Sequence, residues 1–114
     1  MPSLALALPI LPGKTLAFRE FVAEVHGARF TEYASSEKRI GVTKENWHLQ
    51  PTPNSDLWII YLESADLNGA VGAFIMSQDP FDLWFKQKVL ELTGIDFSVP
   101  PPGPLSECVG SYET

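Results

Sequence analysis

The stretch Asn46–Tyr61, "NWHLQPTPNSDLWIIY", decides how this chain folds. Two strand-like runs, Glu45–Gln50 and Leu57–Glu63, flank "PTPNSD", and Pro, Asn, Ser and Asp are the residues that build turns. The pattern predicts a β-hairpin with a longer loop. Side chains alternate along a strand, so His48 and Gln50 share one face while Trp47 and Leu49 take the other. On the second strand Trp58, Ile60 and Leu62 alternate with Leu57, Ile59 and Tyr61, which makes both faces apolar. A face turned to water reads polar at alternate positions, and this one does not. It needs a cover. A second copy of the sheet is the economical one, which predicts a homodimer through the sheet face.

Working outward from the hairpin, "SLALALP" alternates Leu4, Leu6 and Leu8 with small residues and predicts a strand. Pro9, Pro12 and Gly13 mark a turn. Phe18, Phe21, Val22 and Val25 then fall at helical spacing, and a second stripe runs through Phe30, Tyr33, Glu37 and Ile40. Gly41, preceded by Lys38 and Arg39, is a natural helix stop. One long helix to about residue 40, bent at Gly27, is the expectation. After the hairpin, Leu67, Ala70, Val71, Phe74 and Ile75 repeat the helical spacing. Asp79 is an N-cap with Pro80 at the first helical position, and the helix carries Phe81, Trp84, Phe85 and Leu92 inward to Gly94. "VPPPGP" must be extended, and a last strand is expected from Leu105 to about Tyr112.

Strand, helix, strand, strand, helix in two pieces, strand is the ferredoxin-like βαββαβ order. It predicts an α+β sandwich, a four-stranded antiparallel sheet with the helices on one face. At 114 residues the expectation is one domain, residues 1–114. The net charge is −6 and no cationic cluster exceeds Lys38-Arg39, which argues against nucleic acid as a partner. A single cysteine, Cys108, allows no intramolecular disulfide, and a cytoplasmic home fits. The opening "MPSLALALPILPG" has no basic residue ahead of its apolar run and is broken by Pro9 and Pro12, unlike a signal peptide. No run approaches the ~20 apolar residues of a membrane span, so no membrane partner is expected.

Four motifs, "LPGKTLAFREF", "EYASSEKRIGV", "WHLQPTPNSD" and "DPFDLWFKQKV", span most of the chain. In them the sequence resembles an uncharacterised family of small bacterial ferredoxin-like proteins, related in architecture to the dimeric α+β barrel group. That wider group includes cofactor-free monooxygenases, isomerases, haem-degrading enzymes and proteins without known activity. The resemblance implies the fold and a dimer, and it carries over no catalytic residues.

Two constellations are candidates for chemistry. In the first, His48 is a base or hydrogen-bond donor in a pocket walled by Trp58, with Gln50 holding a carbonyl. It requires a hairpin register that puts His48 and Trp58 on one face, and a one-residue slip reverses that. In the second, His26, Tyr33 and Glu37 line one helical face over the sheet, if the helix runs through Gly27. Tyr33 would polarise a substrate oxygen and Glu37 would take a proton. The bland readings are a strand His48 near the hairpin bonded to a carboxylate or water, a His26 that caps its helix before Gly27, and a solvated Glu37. No ligand spacing for a metal is present and no cofactor is expected. Cys108 reads as a small buried residue, and Phe81, Trp84 and Phe85 as core. The functional expectation is a homodimer that binds a small organic molecule, with cofactor-free monooxygenase or isomerase chemistry as its enzymatic form. A non-catalytic binding or structural dimer is the alternative.

Overall fold

The computed structural model describes residues Met1–Thr114. Three strands, β1 (Ser3–Pro9), β2 (Val42–Pro51) and β3 (Asp56–Ser64), form an antiparallel sheet in the order β1-β3-β2. Four helices accompany it: α1 (Thr15–Val25), α2 (Phe30–Ile40), α3 (Leu67–Met76) and α4 (Pro80–Thr93). The hairpin forms where its turn chemistry places it. The Thr52 N–H donates to the Ser55 carbonyl at 3.1 Å, closing a loop between Pro51 and its partner Asp56.

Register is settled by these pairs. His48 lies opposite Ile59 and Leu49 opposite Trp58, while Leu4, Leu6 and Leu8 lie opposite Leu62, Ile60 and Trp58. One face therefore carries the leucines of β1, Trp58, Ile60 and Leu62 of β3, and Glu45, Trp47 and Leu49 of β2. The helices cover this face. Leu8, Trp58 and Ile60 join Phe18, Phe21 and Val25 of α1, Tyr33 of α2 and Phe81, Phe85, Val89 and Leu92 of α4 in one core cluster. The opposite face presents Leu57, Ile59 and Tyr61, half-buried, flanked by exposed Ala5, Ala7, His48 and Gln50.

Several expectations fail. The sheet has three strands, so the chain is not a four-stranded ferredoxin-like sandwich, nor half of a dimeric α+β barrel. Residues after Ser98 form no strand. Between residues 105 and 110, Leu105, Glu107 and Val109 alternate with Ser106, Cys108 and Gly110, so neither parity offers an apolar face to the core. Val109 and Tyr112 are 88% and 85% exposed. The tail hydrogen-bonds to β1 through one side chain: the Ser106 hydroxyl accepts from the Ala5 N–H at 3.1 Å and donates to the Ala5 carbonyl at 2.7 Å. Cys108, expected in a buried strand, is exposed.

The long helix is also two helices. The Arg29 N–H reaches back to the Glu24 carbonyl at 2.9 Å, and α2 restarts at Phe30. A Cβ at Gly27 would stand 2.6 Å from the Ala23 carbonyl oxygen, so glycine permits the close turn. The expected ends hold elsewhere. Gly41 and Gly94 take left-handed backbone at φ 90° and 79°, and the Asp79 carboxylate accepts from the Phe81 N–H at 3.0 Å.

A buried polar network locks the helices together. Asp82, 0% exposed, accepts from the Ser36 hydroxyl of α2, from the Ser77 hydroxyl at 2.5 Å, and from the Arg39 guanidinium at 2.8 Å. One turn on, the Lys86 ammonium donates to the carbonyls of Phe74, Ile75 and Ser77 at 3.0–3.1 Å. Those carbonyls end α3, where a cation offsets the partial negative charge of the terminus.

Candidate functional site

The three strands, α2, α3, Phe85 of α4 and the segment that follows α4 line a partly open cavity of about 140 Å³. Its walls are apolar: Leu4, Ile60 and Leu62 from the sheet, Val71 and Phe74 from α3, and Leu105 from the tail. The polar groups it contains are Tyr33, Glu37 and Glu45. Tyr33 and Glu37 stand one turn apart on α2, so both side chains leave the same helical face. Glu45 enters from β2, on the helix-covered side of the sheet, opposite Leu62.

Trp47 fixes Glu45. Its indole N–H donates to the carboxylate at 2.6 Å. The indole is itself held by Phe21, stacked at 6.0 Å, and by the edges of His26 at 4.6 Å and Trp58 at 5.0 Å.

The electrostatics follow from placing two acids in an apolar space. Burial pushes the Glu37 carboxyl up to about 9, and the facing Glu45 charge and hydrogen bond push the same way. Glu45 is also raised, by burial, against the opposing hydrogen bond from Trp47 and the nearness of the Glu37 and Tyr33 side chains. Both carboxyls are thus pushed toward the protonated form, because two charges lining one space of low dielectric disfavour each other. Tyr33 is raised as well, by burial first and then by the Glu45 and Glu37 charges. Its hydroxyl lies close enough to Glu45 to affect ionisation, yet it makes no hydrogen bond of ordinary geometry.

Of the two constellations expected from sequence, the first is split by the register. Trp58 is 0% exposed in the core, while His48 and Gln50 are exposed on the strand positions that face the other way. His48 borders a surface groove with Arg19 and Val22, and the Gln50 amide donates to the Pro51 carbonyl at 2.9 Å. The second is largely assembled. Tyr33 and Glu37 line the cavity, and His26 packs edge-on against Tyr33 at 5.1 Å, although it does not line the space. Burial lowers the His26 pKa, favouring the neutral ring.

The chain matches no family model, no curated protein and no solved structure. No family is assigned, and function rests on the site alone. No group of three or more His, Cys, Asp or Glu side chains converges on a metal-sized space. What the cavity can do is exchange a proton. Two carboxyls of raised pKa line the cavity, groups able to give or take a proton, and a phenolic O–H lines the same space. Glu45 and Trp47 are the members that sequence reasoning misses. Continuing the alternation of Leu49 and Trp47 by one step reaches Glu45, an acid on a core-facing strand position.

Proposed function

We propose that the protein binds a small organic molecule in this cavity and that the Glu37–Glu45 pair exchanges a proton with it. This is the isomerase-type form of cofactor-free chemistry. The observation that carries the reading is a carboxyl pair facing itself inside an otherwise apolar cavity. Such a pair destabilises the fold when ionised, and it holds a dissociable proton where solvent carboxylates have lost theirs. The ionised member is a base of raised strength and the protonated member an acid available near neutrality.

The pair is tested by its linkage to stability. The Glu37 carboxyl titrates near 4.5 when unfolded and near 9 when folded, so between those values the folded state binds more protons. Its contribution is fully present below about pH 4.5 and is lost as pH rises toward 9. Thermal unfolding should show the melting temperature falling from pH 5 to pH 9. The fall should be markedly shallower in Glu37→Gln. A carbon-13 carboxyl titration that finds Glu37 ionising with the exposed acids would end the proton-transfer reading.

A homodimer through the open sheet face is the assembly we propose. Leu57, Ile59 and Tyr61 form the apolar centre of the uncovered face, and Ala5 and Ala7 beside them leave room for a second sheet. Light scattering at tens of micromolar should give twice the 12.6 kDa chain mass, and Ile59→Lys should return the monomer. A wild-type mass of 12.6 kDa under those conditions would count against the dimer.

A further inference from the structure

The cavity restricts its ligand more narrowly than "small molecule", a restriction that rests on the small-molecule binding proposed for this same site. Its volume of about 140 Å³ is close to that of an engineered apolar protein cavity of about 150 Å³ that takes up benzene. A body of about benzene size therefore fills it. Walls of Leu4, Ile60, Leu62, Val71 and Phe74 favour a hydrocarbon body.

The polar end narrows the choice of head group. No Lys, Arg or His lines the space, and two acids do, so an anion would be repelled. The Tyr33 hydroxyl is a donor buried without a partner, at 7% residue exposure. A buried polar group in that state is costly, and a ligand acceptor would relieve it. A protonated amine offers only donors, so it would leave the Tyr33 donor unmet.

We propose that the cavity takes a neutral, benzene-sized molecule bearing one hydrogen-bond-accepting oxygen, such as a small cyclic ketone, with Tyr33 O–H donating to that oxygen. The carboxyl pair then lies beside the carbons next to the carbonyl. The ionised carboxyl removes a proton from such a carbon, the C–H electron pair forms a carbon–carbon double bond, and the carbonyl π pair moves onto oxygen to give an enolate. Tyr33 hydrogen-bonds that oxygen, and the proton returns to carbon or oxygen. Nothing is oxidised or reduced, and no co-reactant is consumed.

Four probes of one shape separate the possibilities: cyclohexanone, methylenecyclohexane, cyclohexylamine and cyclohexanecarboxylate. Binding is read at neutral pH from the methyl carbon-13 shifts of Ile60, Val71 and Ile75. Cyclohexanone should bind roughly tenfold tighter than methylenecyclohexane, one neutral hydrogen bond's worth; the amine, which leaves the Tyr33 donor unmet, should bind weaker than the ketone, and the carboxylate weakest of all. In Tyr33→Phe the preference for the ketone should disappear while methylenecyclohexane binding stays the same. The variant should fold, since the hydroxyl it loses makes no hydrogen bond. Ketone binding no tighter than the hydrocarbon, or tightest binding by the amine, overturns the acceptor-oxygen ligand and leaves the binding cavity standing. Binding by none of the four overturns both the ligand class and the small-molecule reading. The comparison among probes in the wild-type protein decides the matter even if the variant misfolds.

Discussion

Asp82→Ala is expected to cost about 3–5 kcal/mol of stability, the usual loss when one member of a buried charged network is removed. The carboxylate is 0% exposed and joins α2, through Ser36 and Arg39, to the α3–α4 turn, through Ser77. Alanine would leave two hydroxyls and a guanidinium facing an empty site, and unmet buried partners dominate the cost. For a chain of this length the melting temperature should fall by roughly 10–20 °C. Burial alone would raise the Asp82 pKa, but the bonds from Ser36, Ser77 and Arg39 outweigh it and hold the carboxyl below its usual 3.8. Its stabilisation is therefore present above that value and disappears as pH falls through the lower folded one. The variant should lose the acid-side part of the wild-type stability profile. A urea midpoint shift equivalent to under about 1 kcal/mol would show that the network adds little.

Trp58→Ala should be comparably damaging, at about 3–5 kcal/mol. The indole packs against Phe18 at 5.2 Å, Trp47 at 5.0 Å and Phe21 at 5.9 Å. Its N–H has no hydrogen-bond partner, so Trp58→Phe forfeits packing alone and should cost less than half as much. His48→Ala, on the exposed strand face, should change stability by no more than about 0.5 kcal/mol. Equal losses for Trp58→Ala and His48→Ala in urea denaturation would contradict the register that separates them.

That register is where the sequence stops being legible. The hairpin can be read because Pro, Asn, Ser and Asp dictate a turn wherever they fall together, and α4 because Asp79, Pro80 and Gly94 are local signals of start and stop. Which face His48 joins is not local. It depends on how the connection between the strands closes, and the Thr52–Ser55 bond that fixes it is a contact between two ordinary turn residues. The fourth strand follows from the order of elements alone, whereas residues 105–112 lack the alternation that would bury one. Tyr33 and Glu37 are legible as a helical pair because their spacing does not depend on the break at Gly27. Glu45 is hidden by its charge, which suggests solvent until the strand beneath α2 is seen to hold it inward.

The Ser106 contact has a consequence for how this sheet meets its own kind. Antiparallel ladders turn alternate backbone groups away from the neighbour. Ser3, Ala5, Ala7 and Pro9 thus point off the free side of β1, and Glu45, Trp47, Leu49 and Pro51 off the free side of β2. Pro9 and Pro51 cap the two rims at the same end of the sheet, where neither has an N–H to give. Ser106 occupies both backbone groups of Ala5. A foreign strand approaching β1 finds one position taken and another without a donor, so runaway edge-to-edge polymerisation is blunted on that side. Concentrated solutions should resist β-rich aggregation more through those interruptions than through the modest net charge of −6.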